Sequence, residues 1–263
     1  MRNRLLSIYL AIAALLAPVA SGAETLWASG VNAEKGWYDF NKVRGRSEAY
    51  LCWAITAANM VAWWQRQQAE LPEGVPTGAG VWATYRAAFN NDGSDPDQGI
   101  RWWFTGSYAP NRPANGLTCA RVRDASLGAY YKERGEVFLQ SILYRDRRPA
   151  MPAAEVMRAL SEGFRRGDAF WVGVSYLRRD GSRHTHSLNL WGVDVETAAS
   201  GEPMVVAVYM TDSDDGARVL HRIPLRISGG RLLFDCPTHP LYGRIGDITI
   251  NNYTALRVAP EAR

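Results

Sequence analysis

The hydrophobic periodicity changes once along this 263-residue chain, and that change constrains the fold more than any other feature. Up to about residue 167, apolar side chains recur at helical spacing. From about residue 168 they fall into short runs rich in β-branched and aromatic residues. Helices first and antiparallel strands afterwards predict an α+β architecture, not alternating βαβ units. The spacing predicts a helix over 52–69, in which Ala54, Ala57, Ala58, Val61 and Trp64 recur and Pro72 ends the pattern. Further helices are predicted over 82–89, 98–104 and 124–143, the last interrupted near Gly135, and from Pro152 to about 166 with Gly167 as the stop. Strands are predicted over 170–176, 184–195, 204–211, 219–227, 232–234 and 248–258, with a hairpin across Gly229-Gly230.

The first residues have the pattern of an export signal. Arg2 and Arg4 precede an apolar run over 5–16 that is too short to span a bilayer, and Ser21-Gly22-Ala23 supplies small residues for cleavage. The expected organisation is therefore a signal peptide over 1–23 and one domain over 24–263, with a helical lobe over about 24–167 and a sheet lobe over about 168–263. A retained membrane anchor is the alternative. Cleavage implies a secreted or periplasmic protein with no membrane partner. Thirty basic side chains against 26 acidic ones are too evenly balanced to argue for nucleic acid. Most of the ten tryptophans must be core, although Trp63-Trp64 and Trp102-Trp103 also suit the lining of a groove.

An exported chain with three cysteines leaves one thiol over. Cys119 and Cys236 are the candidates for a disulfide between the two halves. Cys52 remains, in Glu48-Ala49-Tyr50-Leu51-Cys52-Trp53-Ala54, where an extended stretch turns into a helix. Unpaired N–H groups and the dipole at a helix start stabilise a thiolate. Such a nucleophile needs a base, and the base needs an orienting partner. His186 shares a strand face with Leu188 and Leu190 and is the candidate base; His184 competes with it. The plainer reading of His186 is a core histidine with satisfied hydrogen bonds. Asp212 and Asp214 end the following strand, where a carboxylate could accept the imidazole N–H. An acidic turn or a weak calcium loop is the alternative there. Zinc held by His184 and His186 with Asp212, Asp214 or Cys52 is the rival chemistry, but no Cys-x-x-Cys or His-Glu-x-x-His accompanies them.

Four blocks in order resemble the IdeS/Mac family of secreted, immunoglobulin-degrading cysteine proteases, which have a papain-like fold. They are Gly36-Trp37-Tyr38-Asp39-Phe40-Asn41-Lys42; Leu51-Cys52 through Ala57-Ala58-Asn59-Met60 with Trp63-Trp64; His186-Ser187-Leu188-Asn189-Leu190-Trp191-Gly192-Val193-Asp194; and Val208-Tyr209-Met210-Thr211-Asp212-Ser213-Asp214. The resemblance implies a papain-like domain with its helical part packed on a C-terminal antiparallel sheet. It also implies roles: Cys52 as nucleophile, His186 as general base and acid, Asp212 as the group that orients it, Asp214 as a supporting aspartate. Lys42 would help to form the oxyanion hole with the backbone N–H of Cys52. The implied activity is cysteine endopeptidase, with a protein substrate, immunoglobulin in the family, and no cofactor. Trp53 departs from the family's small residue, and the stretch 72–149 is shorter and poorly matched. An inactive protein-binding module and a transglutaminase-like acyl transferase are the alternatives.

Overall fold

In the computed structural model, residues 23–43, 48–109, 119–146, 151–178, 180–236 and 244–258 are described; the expected leader lies outside them except for Ala23. The chain runs β1 (Glu24–Trp27), α1 (Cys52–Arg66), α2 (Ala79–Ala88), α3 (Pro96–Thr105), α4 (Gly135–Ile142), β2 (Leu143–Asp146) and α5 (Ala153–Arg165). It continues through β3 (Ala169–Arg178), β4 (Arg183–Thr197), β5 (Pro203–Thr211), β6 (His221–Ser228), β7 (Arg231–Phe234) and β8 (Arg244–Leu256).

The strands close on themselves. Their order is β4-β3-β8-β7-β6-β5, and β5 pairs back onto β4, so six antiparallel strands form a barrel. β4 makes this possible because it is long. One of its edges carries β3 along 183–190 and then β1 along 192–195, while the other carries β5. β2 adds to β8. Register shifts break β3–β8 between Gly173 and Val174 and between Ser175 and Leu177, and β4–β5 between Leu190 and Gly192 and between Asp194 and Val195. Such bulges sharpen coiling and bring the free edges of a sheet towards each other. The expectation of a papain-like helical part packed on a sheet is therefore corrected: the described residues form a closed six-stranded barrel with five short α-helices. Period-two alternation says which side chains face inward, but it does not say whether the first and last strands meet.

α1 lies against α2, α3, β3 and β4. Enclosed on so many sides, it buries every residue from Trp53 to Gln65. Trp63, Trp64, Trp102 and Trp103 are all fully buried, so they are core and line no groove. The helix expected over 124–143 shrinks to α4 with a short 3-10 turn at Lys132–Arg134. Gly128, Ala129 and Gly135 have φ of 85°, 56° and 72°, which no right-handed helix accommodates. Gly229 and Gly230 take φ of 55° and 74°, the turn that two-residue hairpins favour, and they join β6 to β7 as expected. β1 and β2, four residues each, were too short to be read from periodicity.

The expected Cys119–Cys236 bridge is not formed; all three cysteines are thiols. Cys119 is held beside Gly93 by an isolated parallel bridge in the helical part, whereas Cys236 follows β7 and packs against the core. Among the described residues, no helix is long and apolar enough to cross a membrane.

α5 packs across β5, β4 and β1 and turns into β3 through Gly167, whose φ is 81°. At Gly163 the helix approaches the barrel so closely that a Cβ would overlap the ring of Phe170. An alanine in a helix interior ordinarily gains about 0.5–1 kcal/mol over glycine. Here the sign should reverse: Gly163→Ala is expected to cost roughly 1–3 kcal/mol by overpacking, read as a lower urea midpoint with an unchanged slope.

Candidate active site

Cys52 is the first residue of α1, and Leu51 before it contributes no side-chain cap. The first N–H groups of a helix have no intrahelical acceptor, so they and the dipole present positive potential to the sulfur. His186 is carried by β4, which faces α1. The imidazole hydrogen-bonds the Cys52 thiol, and its Nε2 donates to Asp212 Oδ1 at 2.7 Å. With Nε2 taken, Nδ1 is the nitrogen left for the sulfur. His186 and Asp212 are both buried. Asp212 Oδ1 also accepts the backbone N–H of Asp214 at 3.0 Å, which fixes the carboxylate against its own turn.

Lys42 completes the group. Its Nζ lies 2.5 Å from Asp214 Oδ1 and donates to the carbonyl of Ala49 at 3.1 Å. Its backbone N–H donates to the carbonyl of Ser213 at 3.0 Å, tying the segment to the turn after β5. On the other side, Val43 N–H donates to Glu48 Oε2 at 2.8 Å, and Glu48 is paired with Arg86 at 3.0 Å. The five side chains singled out in the sequence thus come from four separate places in the chain and meet at one point. His184 does not join them. It faces Ser182 Oγ at 3.1 Å and stacks on Tyr176.

The electrostatics follow from this packing. Burial alone would push the Cys52 thiol up, but the hydrogen bond and charge of His186, helped by Lys42, outweigh it and hold the thiol below its ordinary value. Burial would likewise pull the His186 imidazole down; the charge and hydrogen bond of Asp212, together with the thiol, raise it well above the usual histidine range. Desolvation opposes the Lys42 ammonium too, yet Cys52 and Asp214 raise it. Each group favours the charged form of its neighbour, so the packing favours a thiolate–imidazolium pair.

Among the described residues, His186, Asp212 and Asp214 also have the spacing of a metal site, with ligand atoms within 4.8 Å of one another. Those atoms are already engaged, however. His186 Nε2 is on Asp212, and the Lys42 ammonium sits on Asp214. A divalent cation would have to displace a fixed positive charge, so the donor set suits proton chemistry better than zinc or calcium.

A second acidic group beside the site was not foreseen. His221 Nε2 lies 2.7 Å from Asp215 Oδ2, and Asp39 Oδ2 accepts Val219 N–H at 3.0 Å. Burial, and then the charges of Asp215 and Asp212, push the Asp39 carboxyl up to about 7, against the Val219 N–H and His221. The one legible hint was that Asp39 precedes Lys42 by three positions in a stretch rich in aromatics.

The model of one protein family, described as Mac 1, matches residues 20–75. No curated protein matches the chain. The matched segment carries Lys42 and Cys52 but ends long before His186, Asp212 and Asp214. It is well under half of the chain. Assignment of the whole chain to the IdeS/Mac family of secreted immunoglobulin-degrading proteases is corrected accordingly: the likeness is to Mac 1, over the N-terminal segment and α1.

The raised Asp39 carboxyl has a consequence for stability. An unfolded aspartate releases its proton near 3.9, whereas the folded state keeps this one until about pH 7. The folded state therefore binds more protons in that window, and stability falls as pH rises from about 4 to 7. Asp39→Asn keeps an acceptor for Val219 N–H and removes the titration. Its unfolding free energy relative to the parent should rise across this window and be clearly positive at pH 8, measured by urea denaturation at several pH values.

Proposed function

We propose that the chain is a cysteine endopeptidase, exported and cut near Ala23. The single observation that carries this reading is the chain of contacts from the Cys52 thiol through the buried His186 ring to the buried Asp212 carboxylate. A reactive sulfur, a base and an orienter stand in the order that nucleophilic acyl chemistry needs. The Mac 1 match over the segment with Lys42 and Cys52 adds support.

The Cys52 thiolate attacks the scissile carbonyl carbon, and the carbonyl π electrons move to oxygen. Cys52 N–H and the Lys42 ammonium face that oxyanion; each such donor lowers a barrier by about 3–4 kcal/mol. The oxyanion collapses, the C–N bond breaks, and the His186 imidazolium gives its proton to the departing amine. His186 then takes a proton from water as the water oxygen attacks the thioester carbon; the C–S bond breaks, the carboxylic acid product leaves, and the thiolate and imidazolium are restored. Asp212 holds the ring in one tautomer throughout and does not itself react. The substrate class is a polypeptide, immunoglobulin among the candidates.

The purified mature protein, incubated with a peptide library and with immunoglobulin, should yield fragments that carry new amino termini. Cys52→Ala should remove that activity while the circular dichroism spectrum is unchanged. Asp212→Asn should retain folding and lower kcat by about a hundred- to ten-thousand-fold, because the ring loses its orienting charge. Cleavage surviving in Cys52→Ala would sink the assignment. New isopeptide bonds in place of new termini would convert it to acyl transfer.

A further inference from the structure

α1 is enclosed by apolar packing, yet its face towards β4 is polar. Cys52, Thr56 and Asn59 recur at i, i+4 and i+7, so they form one stripe. Each meets a partner on β4. Cys52 faces His186. Thr56 Oγ1 donates to the carbonyl of Ser187 at 3.1 Å. Asn59 Nδ2 donates to Asn189 Oδ1 at 2.9 Å, and Asn189 Nδ2 donates back to the Thr56 carbonyl at 3.1 Å. Asn59 Oδ1 accepts Phe40 N–H at 3.0 Å, two residues before Lys42. Thr56, Asn59 and Asn189 are each no more than 2% exposed.

Apolar side chains could fill this interface, as Ala57, Ala58 and Val61 do on the rest of the helix. An apolar contact tolerates small slides of a helix along a strand. A seam of buried donors and acceptors does not, because every displacement leaves polar groups unpaired. The same three side chains touch the helix that carries the sulfur, the strand that carries the imidazole and the segment that carries the ammonium. We propose that Thr56, Asn59 and Asn189 are positioning residues that set the register of α1 on β4 and so hold the Cys52 sulfur, the His186 ring and the Lys42 segment in reacting geometry. This rests on the thiol reading above. None of the three touches the reacting atoms; they act through where they hold Cys52 and His186.

The test is the pH dependence of Cys52 alkylation by iodoacetamide, followed at the Cys52 peptide by mass spectrometry, in the parent, Thr56→Val and Thr56→Ser. Valine has nearly the shape of threonine and lacks the donor; serine keeps the donor. In the parent, alkylation should remain fast at pH 6, where an isolated thiol is almost wholly protonated. Thr56→Val should slow it about tenfold at pH 6, as expected if the thiol rises by one pH unit, with little change at pH 10. Thr56→Ser should restore the parent profile, and peptide hydrolysis should show the same order in kcat with KM unchanged. Asn59→Ala should depress both rates further, since it also releases Phe40. A parent-like profile in both Thr56→Val and Asn59→Ala, with folding intact, would overturn the positioning role while leaving the thiol reading in place. Slow alkylation of the parent itself at pH 6 would instead remove the activated thiol, and the positioning role with it.

Discussion

The contact between the start of α1 and the face of β4 is the constraint on which the rest of this molecule turns. A sulfur at a helix start is reactive only if a base is held against it, and here the base is on a strand 134 positions later in the sequence. Barrel closure serves that contact. β4 takes β3 and β1 on one edge and β5 on the other, so the strand that bears His186 is gripped from both sides. β5 then ends at Thr211, which places Asp212 and Asp214 in the turn beside the imidazole.

The charges at this point are balanced within a small volume. Two carboxylates, an imidazole, an ammonium and a thiol stand within mutual reach, and burial opposes the charged forms of Cys52, His186 and Lys42. Those charged forms are favoured by their neighbours, since opposite charges at short range in a poorly solvated place offset the cost of desolvation only when they are paired and hydrogen-bonded. Asp39 shows the other outcome. Burial, and then the charges of Asp215 and Asp212, outweigh the Val219 N–H and the His221 imidazole, and its carboxyl is pushed up to about 7.

Local chemistry was well read from the residues. The hairpin at Gly229-Gly230, the stop at Gly167 and the starts of most long helices and strands depend on near neighbours in the chain, which periodicity and turn residues report directly. The Cys52 helix start, the strand with His186 and the acidic turn at 212–214 were legible for the same reason. Less local features were not. The stretch 124–143 has helical spacing, but positive φ at Gly128, Ala129 and Gly135 confines the helix to its end. The tryptophan pairs could be read as core or groove, and only the enclosure of α1 and α3 decides for core. The pairing of Cys119 with Cys236 followed from counting thiols, and a count contains no distance.

From the sequence alone came the concentration of helices before residue 168 and of the long strands after it, the reactive residue types and the short-range geometry that presents each of them. These are set by interactions within a few positions, where side-chain periodicity and capping leave a direct trace. Only the tertiary structure decided that the sheet closes into a barrel, that His186 and not His184 reaches the sulfur, and that a polar seam joins α1 to β4. Those outcomes depend on strand register, coiling and the balance of buried charge between distant segments, and such quantities exist only once the chain has brought the segments together.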